Sequence, residues 1–255
     1  MGLLTVKKQV SQLLVEVGPL VEARFVAENG LAAKEMSATP GEEPTAELND
    51  LVAKLLAWPR PRVLQALFSL LCHNDPLLRW RTVSVMGPLV ADLANNNKEA
   101  ARVVMRRLMW SLNDESGGIG WGAPEAIAAC LVYHAQLADE YTHILVSFMR
   151  EDGAFLEYPP LQQGLMWGVG RLAQVRPQLL EKKRASHYLL PYLDSPDATV
   201  RGLAARALGL LRAGSATPAL RLLLGQSQSL VFYQHPRLLT ATVDELVAAA
   251  LARIK

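Results

Sequence analysis

Apolar residues return every three or four positions along most of the chain. VLQALFSLL from Val63, RVVMRRLMWSL from Arg102, HILVSFM from His143 and VRGLAARALGLL from Val200 all show it. That spacing places the apolar side chains on one face of an α-helix. Alternating Val/Ile/Thr runs and hairpin dipeptides are few, so the pattern predicts an all-α chain. Residues 4–31 read as an amphipathic N-terminal helix. Residues 32–46 concentrate Pro, Gly, Glu and Thr and read as a polar connector.

Stacking the helical segments exposes a repeat. Four nine-residue windows align: RWRTVSVMG from Arg79, WGAPEAIAA from Trp121, QQGLMWGVG from Gln162 and RGLAARALG from Arg201. They start 42, 41 and 39 residues apart and close on a small residue: Gly87, Ala129, Gly170 and Gly209. Each follows another apolar helical segment and a turn carrying Pro or Gly. A period near forty with two helices per unit is the signature of a stacked repeat array.

The fourth copy, LLPYLDSPDATVRGLAARALGLLRAGSATPALRLLL, resembles the HEAT-like repeat, a family also found in phycobilisome-linker (PBS) lyases. Asp197, Val200, Arg201, Ala204, Ala205, Ala207, Leu208 and Gly209 carry the likeness. The resemblance implies that Asp197 sits at the inter-helix turn, with Arg201 one turn into the second helix, as members of a polar ladder. Asp75 and Arg79 keep that offset. The two middle copies depart from it, with Gly117 and Tyr158 for the Asp and Trp121 and Gln162 for the Arg. The chain is thus similar to a bacterial, non-lyase HEAT-repeat protein. The expected fold is an α-α superhelix, an armadillo-like solenoid of about five to six helical hairpins.

The expected organisation is a single domain over 1–255. Residues 1–31 form a capping helix, 32–46 the connector, 47–225 the repeats and 226–255 a divergent last repeat. In such an array each hairpin buries its apolar face on its neighbours, and one helix of each pair lines the concave side.

Composition narrows the function classes. Lys+Arg is 26 and Asp+Glu 24, a formal net charge of +2, so there is no broad attraction to nucleic acid or anionic membrane. No apolar run approaches the ~18 residues of a membrane span, and the N-terminus lacks a signal-peptide h-region. Cys72 and Cys130 sit in apolar helical stretches and read as small buried hydrophobes of a reducing, cytoplasmic protein.

Candidate sites lie in the turns and along the second helices. NDESGGIGWGAP, residues 113–124, brings Gly117, Gly118, Gly120 and Gly122 to a helix start, where bare N–H groups could hold a phosphate or carboxylate. Asp114 and Glu115 oppose an anion there. Neither the strand of a dinucleotide fingerprint nor the Gly-Lys-Ser/Thr of a P-loop is present. The next repeat has EDGAFLEYPP, residues 151–160. A stacked solenoid would set the two turns side by side, gathering Asp114, Glu115, Glu151, Asp152 and Glu157 beside Trp121, Phe155 and Tyr158. Such an edge could receive a basic peptide or a cation, or be a solvated acidic rim. Within the windows, positions one, four and five after the start share a helix face. They give Trp80, Glu125, Met166, Trp167 and Arg206 as a candidate groove, or a core column if the helix phase shifts by one.

Catalytic chemistry is thin. His73, His134, His143, His187 and His235 are scattered, and no catalytic or metal-binding motif spacing appears. No cofactor is expected. The favoured function is a non-enzymatic scaffold or adaptor that binds a protein or peptide partner through the concave face or the acidic–aromatic turns. One alternative is a nucleic-acid protein resembling the HEAT-like alkylpurine DNA glycosylases, suggested by Trp110, Asp114 and Trp121 and by short basic segments such as Arg106-Arg107. Another is a tetrapyrrole- or cofactor-handling protein resembling the bilin lyases.

Overall fold

The structure is a computed structural model that describes residues 3–16, 21–24, 46–113, 119–234 and 237–254. The chain divides into two compact units, residues 1–20 with 43–137, and residues 21–42 with 138–255. The fold is all-α, of the helical-repeat superhelix class, with one small three-stranded sheet.

In the first unit α1 (Leu3–Glu16) buries Val6, Val10 and Leu14, a stripe at four-residue intervals. It packs on α3 (Arg60–Leu71) and α4 (Pro76–Asn96), with α2 (Ala46–Leu56) against the same pair. The buried Arg81 of α4 donates to the carbonyls of Leu14 and Val15, setting a cation at the C-terminal end of α1, where the helix dipole favours it. The expected helix over 4–31 therefore ends early. Residues Val21–Arg24 form β1 in the second unit, and most of the expected connector lies outside the described residues.

Helices then alternate as the repeat predicts. α3 leads to α4, α5 (Lys98–Leu112) to α6 (Ala123–Tyr133), and α7 (Ala135–Ser147) to α8 (Pro159–Val175). Short α9 (Pro177–Lys182) and α10 (Ala185–Leu189) lead to α11 (Ala198–Leu210), and α12 (Thr217–Leu222) precedes α13 (Val243–Ile254). Second helices stack on second helices, α4 on α6 in the first unit, and α8 on α11 and α11 on α13 in the second.

The small residues that close the windows are where helices meet. A Cβ on Gly87 would stand 2.6 Å from Tyr133 Cδ2 and 2.8 Å from the Ala129 oxygen; one on Gly209 would stand 2.5 Å from Ala250 Cα. Only a missing side chain allows backbones so close. Pro88, next to Gly87, lies inside the 21-residue α4, where its ring removes one backbone donor.

The helix starts explain the ladder. Asp75 and Asp197 cap α4 and α11: Asp75 accepts from the Leu77 amide at 2.9 Å, and Asp197 from those of Thr199 and Val200 at 2.8 and 3.0 Å. Asp197 also accepts from Gln163 Nε2 of α8 at 2.8 Å, which joins two layers. Arg201 reaches the Ser195 carbonyl and Gln226 rather than an acid. The middle copies have no side-chain cap at Gly122 or Tyr158 and instead place Pro in the first turn, where its missing N–H costs nothing. Arg79, Gln162 and Arg201 each fall three residues after their helix begins, but Trp121 lies ahead of α6, in the turn.

The second unit departs from helix-only expectation at its end. SLVFYQ and RLLTAT form β2 (Ser229–Gln234) and β3 (Arg237–Thr242), an antiparallel pair, with β1 parallel on the far side of β3. β-branched and aromatic residues favour strand here, and burial alternates over the first half of β2. Leu230 and Phe232 are buried, and β2 packs on α11. α13 then opens with a reciprocal capping box. The Glu245 amide donates to Thr242 Oγ1 at 3.2 Å, and the Thr242 amide to Glu245 Oε2 at 2.7 Å.

Candidate functional site

In the first unit the glycine turn is described from Ile119 onward; Asp114, Glu115, Gly117 and Gly118 lie outside the described residues. The described part is tightly used. The Trp121 amide donates to the Ile119 oxygen at 2.7 Å, and Gly122 takes the left-handed conformation at φ 73°. A Cβ on Gly120 would fall 2.5 Å from the Ser111 carbonyl, and one on Gly122 3.0 Å from that of Leu71. The turn thus presses onto the ends of α5 and α3, so packing accounts for Gly120 and Gly122. Trp121 is partly buried beside them.

Trp80 and Glu125, the first-unit members of the candidate groove column, are both partly buried. Glu125 sits in the first turn of α6, where the helix dipole favours an anion. Desolvation outweighs that and pushes its carboxyl up to about 7, while the Arg79 charge pulls it back down.

In the second unit the column turns inward. Met166, Trp167 and Arg206 are all buried. Trp167 Nε1 donates to the Tyr233 carbonyl at 2.6 Å, and its ring lies 6.5 Å from that of Tyr233. The Arg206 guanidinium lies 5.4 Å from the Phe232 ring centroid and reaches Gln234 Oε1 at 3.4 Å. The strand β2 therefore covers this face of α8 and α11. The sequence pattern finds these residues as a shared face; what it misses is the strand laid over them.

The 151–158 turn, also in the second unit, exposes Glu151, Asp152, Glu157 and Tyr158, with Phe155 half-buried. Asp152 pairs with Arg150 at 2.7 and 2.9 Å, and the hydrogen bonds from that guanidinium hold its carboxyl below the usual range. Arg150 also lies over the Tyr188 ring at 5.1 Å. The Leu156 amide donates to the Phe148 carbonyl, and Gln162 Nε2 to that of Leu156, which fixes the turn. The free acid of this turn is therefore Glu151 and Glu157 more than Asp152. Burial raises the nearby Tyr192 hydroxyl, with the charge of Glu151 adding to the effect.

The cysteines separate. Cys130 is buried, and desolvation drives its thiol up to about 12, whereas Cys72 is exposed. Among the described residues no three His, Cys, Asp or Glu side chains gather to hold a metal ion, and no helix is long and apolar enough to cross a membrane.

A surface feature that the sequence suggests only for the nucleic-acid alternative is on α5. Trp110 is 71% exposed and Val103 52%. Arg107 lies one turn from each, its guanidinium 3.9 Å above the Phe68 ring of α3. The signal is present in RVVMRRLMW, where Val103, Arg107 and Trp110 fall at helical spacing on the face opposite Ala101, Val104, Met105 and Leu108.

Residues 159–211, which run from α8 through α11, match the family model of the HEAT-like repeat. That stretch of the chain carries a HEAT-like repeat. The match is to the general repeat and does not single out the linker-lyase type. An uncharacterized protein of Archaeoglobus fulgidus is 30% identical over 109 residues, which are 43% of this chain and 53% of that protein, so the match spans about half of that relative. Among solved structures, a designed armadillo repeat protein is similar at TM-score 0.49 and 18% identity, over 97% of this chain and 99% of its own. Another neighbour, from computationally designed armadillo repeat proteins for modular peptide recognition, is similar at TM-score 0.47 and 17% identity, with 97% and 99% covered.

Proposed function

We propose that this helical-repeat protein is a non-enzymatic scaffold that binds a segment of a partner protein. The observation that carries the reading is Trp110, a large apolar side chain left 71% exposed on a regular helix. Indole rings are costly to leave in water and are enriched at binding hot spots. The repeat fold is commonly used for protein binding, and its regular helices give such a side chain a fixed place. Trp80, Trp121 and Glu125 in the first unit and Glu157 and Tyr158 in the second are further candidate contacts, each at least partly open to solvent. Met166, Trp167 and Arg206 support the fold from within.

The test is affinity capture from the native cell with the full chain, followed by reconstitution of each captured protein from purified components. A direct complex weakened by Trp110→Ser, or by Trp121→Ala with Glu157→Ala, supports the reading. Captured material that disappears on nuclease treatment would favour the nucleic-acid alternative instead, and a reconstituted complex untouched by any of these variants would remove these residues from the contact surface.

A further inference from the structure

We infer that the outer face of α5 docks an acidic, amphipathic segment of a partner protein, with Trp110 and Val103 as its apolar seat and Arg106 and Arg107 as its charged walls. The inference deepens the scaffold reading and rests on it. Val103 and Trp110 are seven residues apart, two turns along the same face, about 10 Å at helical rise. That is the separation of two apolar anchors on a docking helix. Arg107 lies toward one side of the line joining them and Arg106 toward the other, because residues three and four apart flank one another on a helix surface.

The charges decide the partner's chemistry. Lys98, Arg102, Arg106 and Arg107 stand on α5 against one acid, Glu99, although the chain as a whole is nearly balanced. Arg106 and Arg102 share Glu99, at 2.7 and 3.4 Å, and hydrogen bonding to them holds its carboxyl below the usual range. That acid is already committed. Arg107 forms no ion pair among the described residues; it rests on the Phe68 ring, which fixes its guanidinium at the surface. A cation held in place loses less freedom when a carboxylate arrives, and a planar guanidinium suits a carboxylate pair.

The same pattern disfavours other occupants. Two copies of this face meeting by a two-fold axis would set arginines against arginines. A nucleic-acid strand would need cations in a line along its phosphates, whereas here an apolar centre line separates them.

A random dodecapeptide library displayed on phage, panned on the full chain and counter-panned on the Arg107→Glu, Trp110→Ser double variant, supplies the probe. The expected enriched peptides carry net negative charge with apolar residues three, four or seven apart. Synthetic copies should bind at least tenfold more weakly to Trp110→Ser and to Arg107→Glu, and weaken with added salt. Reversing to lysine the one acid of such a peptide whose loss costs most on the wild type but nothing on Arg107→Glu should restore binding to Arg107→Glu. All three variants are on the exposed face, and circular dichroism checks that the fold is kept. No enrichment over the double variant, enriched peptides without acidic excess, or no charge-reversal rescue would overturn the inference. So would a single-stranded oligonucleotide competing at these residues, or a dimer of the wild type dissolved by Trp110→Ser. A reconstituted partner complex that survives both substitutions would leave the scaffold reading standing and remove this face from it.

Discussion

Trp167 of α8 and Tyr233 of β2, 66 positions apart, are joined by a 2.6 Å hydrogen bond from the indole nitrogen to the main-chain oxygen. The bond ties the edge strand of the sheet to α8. It also shows why the second-unit half of the sequence column is closed: β2 lies where a groove would open. Trp167→Phe keeps most of the ring and removes the donor. The expected loss is about 0.5–1.5 kcal/mol, the net contribution of one hydrogen bond. Urea denaturation measures it, and hydrogen exchange should quicken selectively in β2 and β3. Unchanged stability with unchanged exchange would show that the bond contributes nothing.

Gly209 against Ala250 sets the spacing of α11 and α13. A Cβ there would lie 2.5 Å from the Ala250 Cα, which is backbone and cannot swing away. Gly209→Ala should destabilise the protein by about 1–3 kcal/mol through forced helix separation, despite alanine's better helix propensity. Gly214, with nothing within 4 Å of its Cβ position, is the control and should tolerate alanine with little change. Equal thermal midpoints for the two variants would contradict the close approach.

The caps predict losses of unequal size at matched positions. Asp197→Ala removes an acceptor from two amides and from Gln163, and should cost about 1–2 kcal/mol. Tyr158 holds the same place before α8 with nearly the same backbone, φ −75° and ψ 118° against −84° and 119°, but provides no cap. Tyr158→Asp should therefore recover part of a cap and offset some of the lost ring contact. Paired denaturation curves decide it: a loss at 158 as large as that at 197 would show that the tyrosine ring, and not the cap, sets the start of α8.

The repeat was legible because its physics is local. Period, capping Asp and terminal small residue all appear in short windows, and Gly87 and Gly209 occupy the close approaches that such windows need. The phase of the second window was not: Trp121 aligns with Arg79 by sequence, yet the left-handed Gly122 delays the start of α6 and leaves Trp121 in the turn. The strands were hidden for a different reason. β1, β3 and β2 draw residues from opposite ends of the chain, and pairing between Val21 and Arg237 has no local signature. The candidate site suffered most from this, because Trp167 and Arg206 have the residue types of a binding face and are covered by a segment whose position only tertiary structure reveals. Trp110 was readable as part of a helical face, but its exposure was not, since the same spacing fits a buried stripe.

Glu125 supplies a prediction in pH. Its carboxyl titrates at about 7 in the folded protein, against the ordinary 4.5, because burial disfavours the charge. Between those values the unfolded chain has released a proton that the folded chain retains. Stability therefore falls as pH rises through that window. Above about 7 the penalty is complete, and below about 4.5 it vanishes. The full shift would correspond to about 3 kcal/mol; Glu125 keeps part of its surface in water, which reduces the expected effect to on the order of 1–2 kcal/mol. Glu125→Gln removes the ionisation while keeping the shape. Relative to wild type the variant should gain stability between pH 5 and pH 8, with the difference flat beyond. Urea denaturation at pH 4, 6 and 8 reads this directly. A variant that instead loses stability as pH rises would mean that attraction to Arg79 outweighs desolvation, and a constant difference would mean that the carboxyl titrates normally.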